Sequence, residues 1–221
     1  MNGMTSETAA PEALASWIAP GRTAVLVVDM QVDFAAPFGV LSSFGVDMSV
    51  VEPALAAAER LVSCAREAGV PVIFVGLFTT PASDSAVWNE RLRRRGGDPD
   101  SDAALCRAGT PGAEFYGPLP LEGEPVIEKV RYSSFQGTDL DARLRGMGVD
   151  TLVVAGLTTE CCVDSTVRDA FSLDYHVFVA ADACAAYEPD LHAVSLRVMA
   201  LNSAILTDTS AVASAWQGMR G

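Results

Sequence analysis

One stretch, residues 153–166 (Val-Val-Ala-Gly-Leu-Thr-Thr-Glu-Cys-Cys-Val-Asp-Ser-Thr), limits what this chain can become. It starts as an apolar run, breaks at Gly156 and resumes in a helical pattern with Cys161 and Cys162 at its first turn. An apolar strand passing at once into a helix is half of an α/β unit, because the helix has to cover the strand. A helix start presents unpaired N–H groups and a partial positive charge. Both favour thiolate over thiol, so the stretch predicts a cysteine reactive near neutral pH.

The same alternation recurs along the chain. Apolar runs at 24–28, 71–77, 125–129, 151–155, 176–181 and 204–206 predict six strands. Helical patterns fall at 11–18, 50–68, 85–94, 139–147, 162–173, 190–201 and 210–217. Val163, Val167, Ala170 and Phe171 form the expected apolar stripe of the helix after the cysteines. Strands that are apolar throughout are buried on both faces. The prediction is an α/β fold of three layers, α/β/α, around a six-stranded, mostly parallel sheet in a single domain, residues 1–221. Residues 1–20 form an N-terminal extension. Residues 78–124, rich in Gly and Pro and without clear periodicity, form an insertion that shapes a pocket or a subunit contact.

Composition removes several function classes. A net charge of −13 over 221 residues opposes a nucleic-acid surface, which is basic. No apolar run approaches the roughly 18 residues of a membrane span, and the first ten residues lack a signal-peptide pattern. The expectation is a cytoplasmic protein. Five cysteines, an odd number without a Cys-x-x-Cys pair, argue against a disulfide framework and a structural zinc site. Cys64, Cys161 and Cys184 read as packing residues. Of the 15 basic side chains, Lys129 is the single lysine. In a chain that otherwise uses arginine, that position points to a need for a compact ammonium.

In parallel sheets, sites lie at the carboxyl ends of strands. Three polar residues stand at such ends: Asp29 after strand one, Lys129 at the end of strand three and Cys162 just beyond strand four. A cysteine nucleophile needs a base. Of the two histidines, His176 opens a strand at the opposite end, and His192 lies within a surface helix; both read as structural. The base is then a carboxylate, with Asp29 in position. A redox protein using Cys161 and Cys162 is a competing class, although adjacent cysteines make strained disulfides. A nucleotide-binding domain is another, but the glycine-rich loop after strand one is absent.

Asp29-Met30-Gln31-x-Asp33-Phe34, Lys129-x-Arg131-Tyr132-Ser133-Ser134-Phe135 and Gly156-Leu157-Thr158-Thr159-Glu160-Cys161-Cys162-Val163, with Thr166 and Arg168-Asp169-Ala170, resemble the isochorismatase-like cysteine hydrolases. The resemblance spans roughly residues 22 to 208. It implies a catalytic Asp29, Lys129 and Cys162, with Cys161 on a variable position. It implies a cis peptide at Leu157–Thr158 and an oxyanion hole from the N–H groups of Thr158 and Cys162. Within the family, Cys162 argues against true isochorismatases, which lack the cysteine. The absence of histidine between residues 78 and 124 argues against a metal-assisted nicotinamidase or pyrazinamidase, which remains the alternative. The Lys129–Phe135 segment is similar to metal-free amidohydrolases of the N-carbamoylsarcosine, ureidoacrylate and biuret type. The implied substrate is a small amide or ureido compound, with no cofactor and no metal. Phe34, Tyr132 and Phe135 are expected to line the pocket, with Arg131 as a candidate partner for a substrate carboxylate. A homodimer or homotetramer is implied, with Trp88 reaching a neighbour.

Overall fold

The computed structural model describes residues 11–102 and 104–218, so the first ten residues of the expected N-terminal extension lie outside the described residues. The chain runs α1 (Pro11–Trp17), β1 (Thr23–Val28), α2 (Val32–Ala35), α3 (Val40–Ser43), α4 (Glu52–Ala68), β2 (Val72–Leu77), α5 (Ala86–Arg94) and α6 (Pro99–Asp102). It continues with β3 (Val126–Lys129), α7 (Leu140–Gly146), β4 (Thr151–Leu157), a π-helical turn (Thr159–Val163), α8 (Asp164–Ser172), β5 (His176–Ala185), α9 (Pro189–Asn202), β6 (Ile205–Thr207) and α10 (Thr209–Gln217).

The strands form one sheet in the order β3-β2-β1-β4-β5-β6, and every neighbouring pair is parallel. The period of two along each strand splits the core between two layers. Val25 and Val27 of β1 face a layer containing Leu55, Ala58, Leu61 and Val62 of α4 and Trp216 of α10. Ala24, Leu26 and Val28 face the other, which holds Leu140 and Leu144 of α7, Val163, Val167 and Ala170 near α8, and Met199 of α9. α4 keeps its apolar residues on one face and stops at Gly69, whose φ of 70° suits the left-handed cap. The Trp216 indole donates to the carbonyl of Ile18 and ties the end of the chain to its beginning.

The chain winds outward to β3 on one side of β1 and, starting again at β4, to β6 on the other. The crevice between the carboxyl ends of β1 and β4 is therefore the switch point at which α/β sheets bind ligands. Gly156 sits there at φ 146°, and any Cβ on it would collide with the backbone carbonyl of Val28. The two central strands approach closely because this position carries no side chain.

Three expectations are corrected. β5 extends to Ala185 because its pairing with β4 shifts between Val154 and Gly156, which lengthens the strand past residue 181. Cys162 lies in the π-helical turn, and the regular helix starts two residues later at Asp164. Phe171 is 54% exposed and leaves the stripe to Val163, Val167 and Ala170. None of the helices among the described residues is long and apolar enough to cross a membrane.

Candidate active site

β1 delivers Asp29 to the switch point. Its N–H still donates to Val75 of β2, but its φ of 51° turns the chain out of the sheet. Aspartate is among the few residues that tolerate this left-handed conformation. Lys129 ends β3, which is separated from β1 by β2. Two strand spacings amount to about 10 Å. The four-carbon stem of a lysine crosses much of that gap and carries a compact charge at its tip. Its Nζ donates to Asp29 Oδ2 at 2.7 Å, to the Arg131 carbonyl at 2.9 Å and to Cys162 Sγ at 3.5 Å. All three ammonium donors are used. Both members of the ion pair are buried, Asp29 at 0% and Lys129 at 1% exposure.

The other Asp29 oxygen, Oδ1, is buried and has no hydrogen-bond partner. A buried carboxylate oxygen left without a donor is costly in a finished core and is an open acceptor in a reactive one. Burial raises the pKa of Asp29 above the usual carboxylate range, against the pull of Lys129 and of the adjoining Cys162 thiol. Burial works to lower Lys129, yet Asp29 and Cys162 outweigh it and hold the ammonium above its ordinary value. Cys162 is pushed well above the ordinary thiol range by the neighbouring Cys161 thiol, by burial and by Asp29, with only Lys129 opposing. The 2.7 Å Asp29–Lys129 contact has the geometry of an ion pair, and the Cys162 sulfur lies 3.5 Å from the same Nζ. The two adjacent thiols move apart in pKa: the hydrogen bond between them lowers Cys161 and raises Cys162, and burial and Asp29 push Cys162 further up, so a base beside Cys162 has a proton to take.

The turn that carries Cys162 is held from behind. The Leu157–Thr158 peptide is cis, and the Thr158 carbonyl accepts from the N–H groups of Cys161 and Val163. The Thr158 hydroxyl donates to Glu160 at 2.8 Å. Thr159, fully buried, pairs through Oγ1 with His192 Nδ1 at 2.8 Å. Burial lowers the pKa of His192, which keeps that imidazole neutral near pH 7. His192 belongs to α9, so this helix props the turn that carries Cys162, a link that a single-residue reading of the sequence missed. His176 is exposed at the opposite end of the sheet.

The remaining motif residues fix loops around the cluster. Gln31 donates to the carbonyls of Leu77 and Ala113 and accepts from the N–H of Leu77. Buried Asp33 accepts from the N–H groups of Val40 and Cys106. Ser134 and Thr166 share buried hydrogen bonds that pin the loop after β3 to α8.

Asp29, Thr158, Cys161 and Cys162 open on a cavity of about 250 Å³. Phe34, Arg131 and Tyr132 line it as expected. Phe135 does not: it packs against Tyr175 with ring centroids 5.9 Å apart, in the layer covered by α7 and α8. The Ser134–Thr166 pins turn the chain there, so the ring points away from the cavity. Trp88, expected to reach a neighbouring subunit, lines this chain's own cavity and meets Tyr132 at 5.3 Å between centroids. Sequence reasoning also missed Tyr187, which lines the cavity and donates its hydroxyl to the Phe34 carbonyl. No group of three or more His, Cys, Asp or Glu among the described residues is arranged to hold a metal ion.

Comparison with known proteins follows the same lines. An isochorismatase-domain model matches residues 23–211. The chain is 35% identical over 217 residues to the ureidoacrylate amidohydrolase RutB of Methylobacterium radiotolerans, over 94% of this chain and 83% of that protein. A cysteine hydrolase from Pseudomonas syringae pv. phaseolicola superposes with a TM-score of 0.79 at 30% identity, covering 91% of this chain and 95% of the other. An N-carbamoylsarcosine amidase from Thermoplasma acidophilum gives a TM-score of 0.67 at 29% identity, covering 85% and 96%.

Proposed function

Because the chain belongs to the isochorismatase family of hydrolases, we propose that it is a cysteine-dependent amidohydrolase cleaving a C–N bond in a small carboxamide, carbamoyl or ureido compound. The observation that carries the reading is the buried Asp29–Lys129–Cys162 cluster, with one carboxylate oxygen unpartnered beside a thiol at the floor of a cavity. The named substrates of two relatives, ureidoacrylate and N-carbamoylsarcosine, agree with a small ureido compound.

The chemistry follows from the arrangement of the three groups. Asp29 Oδ1 takes the Cys162 proton as Sγ adds to the substrate carbonyl carbon. The carbonyl oxygen becomes an oxyanion, stabilised by the N–H groups of Thr158 and Cys162. Lys129 stays charged and offsets the negative charge shared among Asp29, sulfur and oxyanion. Asp29 returns the proton to the nitrogen, the C–N bond breaks, and ammonia or an amine leaves a thioester on Cys162. Water, losing a proton to Asp29, adds to the thioester; the C–S bond breaks and the thiol recovers its proton. Arg131 takes a substrate carboxylate, while Phe34 and Tyr132 flank the substrate. The reading includes a cytoplasmic homodimer or homotetramer, supported by the exposed Leu191, Val194 and Leu201 on one side of α9.

The test is ammonia release from a panel of carboxamides and ureido acids by the parent protein, Cys162→Ala and Cys161→Ala. The reading expects release by the parent, loss of at least a thousandfold with Cys162→Ala, and retention with Cys161→Ala. Silence across the panel, or a dead Cys161→Ala beside an active Cys162→Ala, refutes it.

A further inference from the structure

We infer that the cavity contains an apolar subsite opposite Cys162, and that the preferred substrate is a ureido or carbamoyl acid bearing an apolar substituent of about ring size. The inference deepens the amidohydrolase reading and rests on it. Few polar groups in the cavity wall remain free to meet a substrate.

Most are occupied by the protein itself. Both Asp84 oxygens accept from Arg107, at 3.0 and 2.6 Å. The Thr79 hydroxyl donates to the Leu105 carbonyl and accepts from Arg107. Asp102 accepts from the Asp98 N–H and the Ser101 hydroxyl. The Ser83 hydroxyl is exchanged with Thr80, and the Tyr187 hydroxyl is on the Phe34 carbonyl. Arg131 is different. One guanidinium nitrogen rests on the carbonyls of Ser83 and Val130, and the group pairs with no carboxylate among the described residues. A cavity-lining guanidinium held by carbonyls alone retains donors for one carboxylate.

What else faces the void is mainly hydrocarbon, from Phe34, Leu41, Trp88, Leu92 and Leu105, with the Tyr132 hydroxyl and the Trp88 indole N–H as polar exceptions. Trp88, Leu92 and Leu105 all come from the 78–124 segment. An apolar cavity of about 150 Å³ accepts a benzene ring, whereas water needs two to four polar partners to settle. The volume here is about 250 Å³. It holds a carbamoyl group at Cys162, a carboxylate at Arg131 and a ring-sized apolar group between them and α5. An unsubstituted ureido acid would leave the hydrocarbon wall facing water that it cannot bond.

The test uses the full chain as Cys162→Ala, so that probes bind without turnover. Isothermal titration with N-carbamoylglycine, N-carbamoylvaline and N-carbamoylphenylalanine reads the subsite directly. A single methylene in an apolar pocket changes discrimination about 10- to 200-fold. The expected result is affinity rising in that order, at least tenfold from the glycine to the phenylalanine derivative. Adding Trp88→Ala should shrink that ratio at least threefold, and Leu92→Ala should act in the same direction. α5 has no fully buried residue, so these changes leave the core intact. Equal affinities, a preference for the glycine derivative, no binding of the phenylalanine derivative, or a ratio unmoved by both substitutions overturns the inference. Ammonia release from the same compounds by the unsubstituted protein is a separate readout. Its absence throughout counts against the amidohydrolase reading, while the binding order still decides the subsite.

Discussion

Replacing Lys129 by methionine tests the buried ion pair, since methionine keeps an unbranched apolar stem of similar reach and removes the charge. The Asp29–Lys129 contact is 2.7 Å long and both groups are at or below 1% exposure. Breaking a buried pair by removing one partner costs about 3–5 kcal/mol, because the remaining charge is stranded. In a chain of this size that corresponds to a fall in Tm of about 6–20 °C. Asp29 Oδ1 already lacks a partner, and the variant takes the Lys129 ammonium away from Oδ2, so the folded-state pKa of the carboxyl group moves further up. A carboxyl group raised above its unfolded value is most compatible with folding below the unfolded pKa. Stability is lost as pH rises through the folded pKa. The stability gap between parent and Lys129→Met is therefore widest near neutral pH and narrows as pH falls toward 4. The double variant Asp29→Asn/Lys129→Met should recover much of the lost stability and none of the activity. Urea titrations of the three proteins at pH 5 and pH 8 measure all of this. A single variant as stable as the parent, or a gap of equal size at both pH values, refutes the account of the pair.

Three further outcomes follow from the geometry. Gly156→Ala places a Cβ against the Val28 carbonyl at φ 146°, so we expect the unfolding free energy from denaturant titration to fall by more than about 3 kcal/mol; a loss below about 1 kcal/mol means that β1 and β4 can part there. His192→Ala removes the support of Thr159, so kcat should fall with KM nearly unchanged and stability should drop by about 0.5–1.5 kcal/mol. His192→Asn, which can still bond Thr159, should restore part of kcat; a pure KM effect contradicts the positioning role. The acid limb of kcat/KM should lie above the ordinary carboxylate value of 3.8, because burial raises Asp29 and activity needs its charged form. A limb at or below 3.8 assigns the base elsewhere.

The sheet was legible because its strands are apolar on both faces and end abruptly in polar residues. Asp29 and Lys129 could be found that way, and the lysine also by being the single one in the chain. The state of Cys162 was legible only in part: Cys161 stands beside it in sequence, whereas burial and Asp29 act through the fold. Gln31 and Asp33 appeared as members of a motif, but their task of tying loops at 40, 77, 106 and 113 is visible only in space. Tyr187 escaped because it lies in the short link between β5 and α9, and Trp88 because the helical pattern of α5 does not say which way its ring faces. Phe135 misled because adjacency to Tyr132 in sequence says nothing of a turn between them. The extra length of β5 follows from a shift of register opposite Gly156, which no run of residues advertises.

The central claim is that Cys162, and not Cys161, carries the reaction. The most direct measurement is mass spectrometry of protein quenched during turnover of a compound that supports ammonia release. Fragmentation of the peptide containing both cysteines locates any acyl adduct. The account predicts an acyl group on Cys162, absent in Cys162→Ala and present in Cys161→Ala. An adduct on Cys161, or turnover surviving in Cys162→Ala, contradicts it.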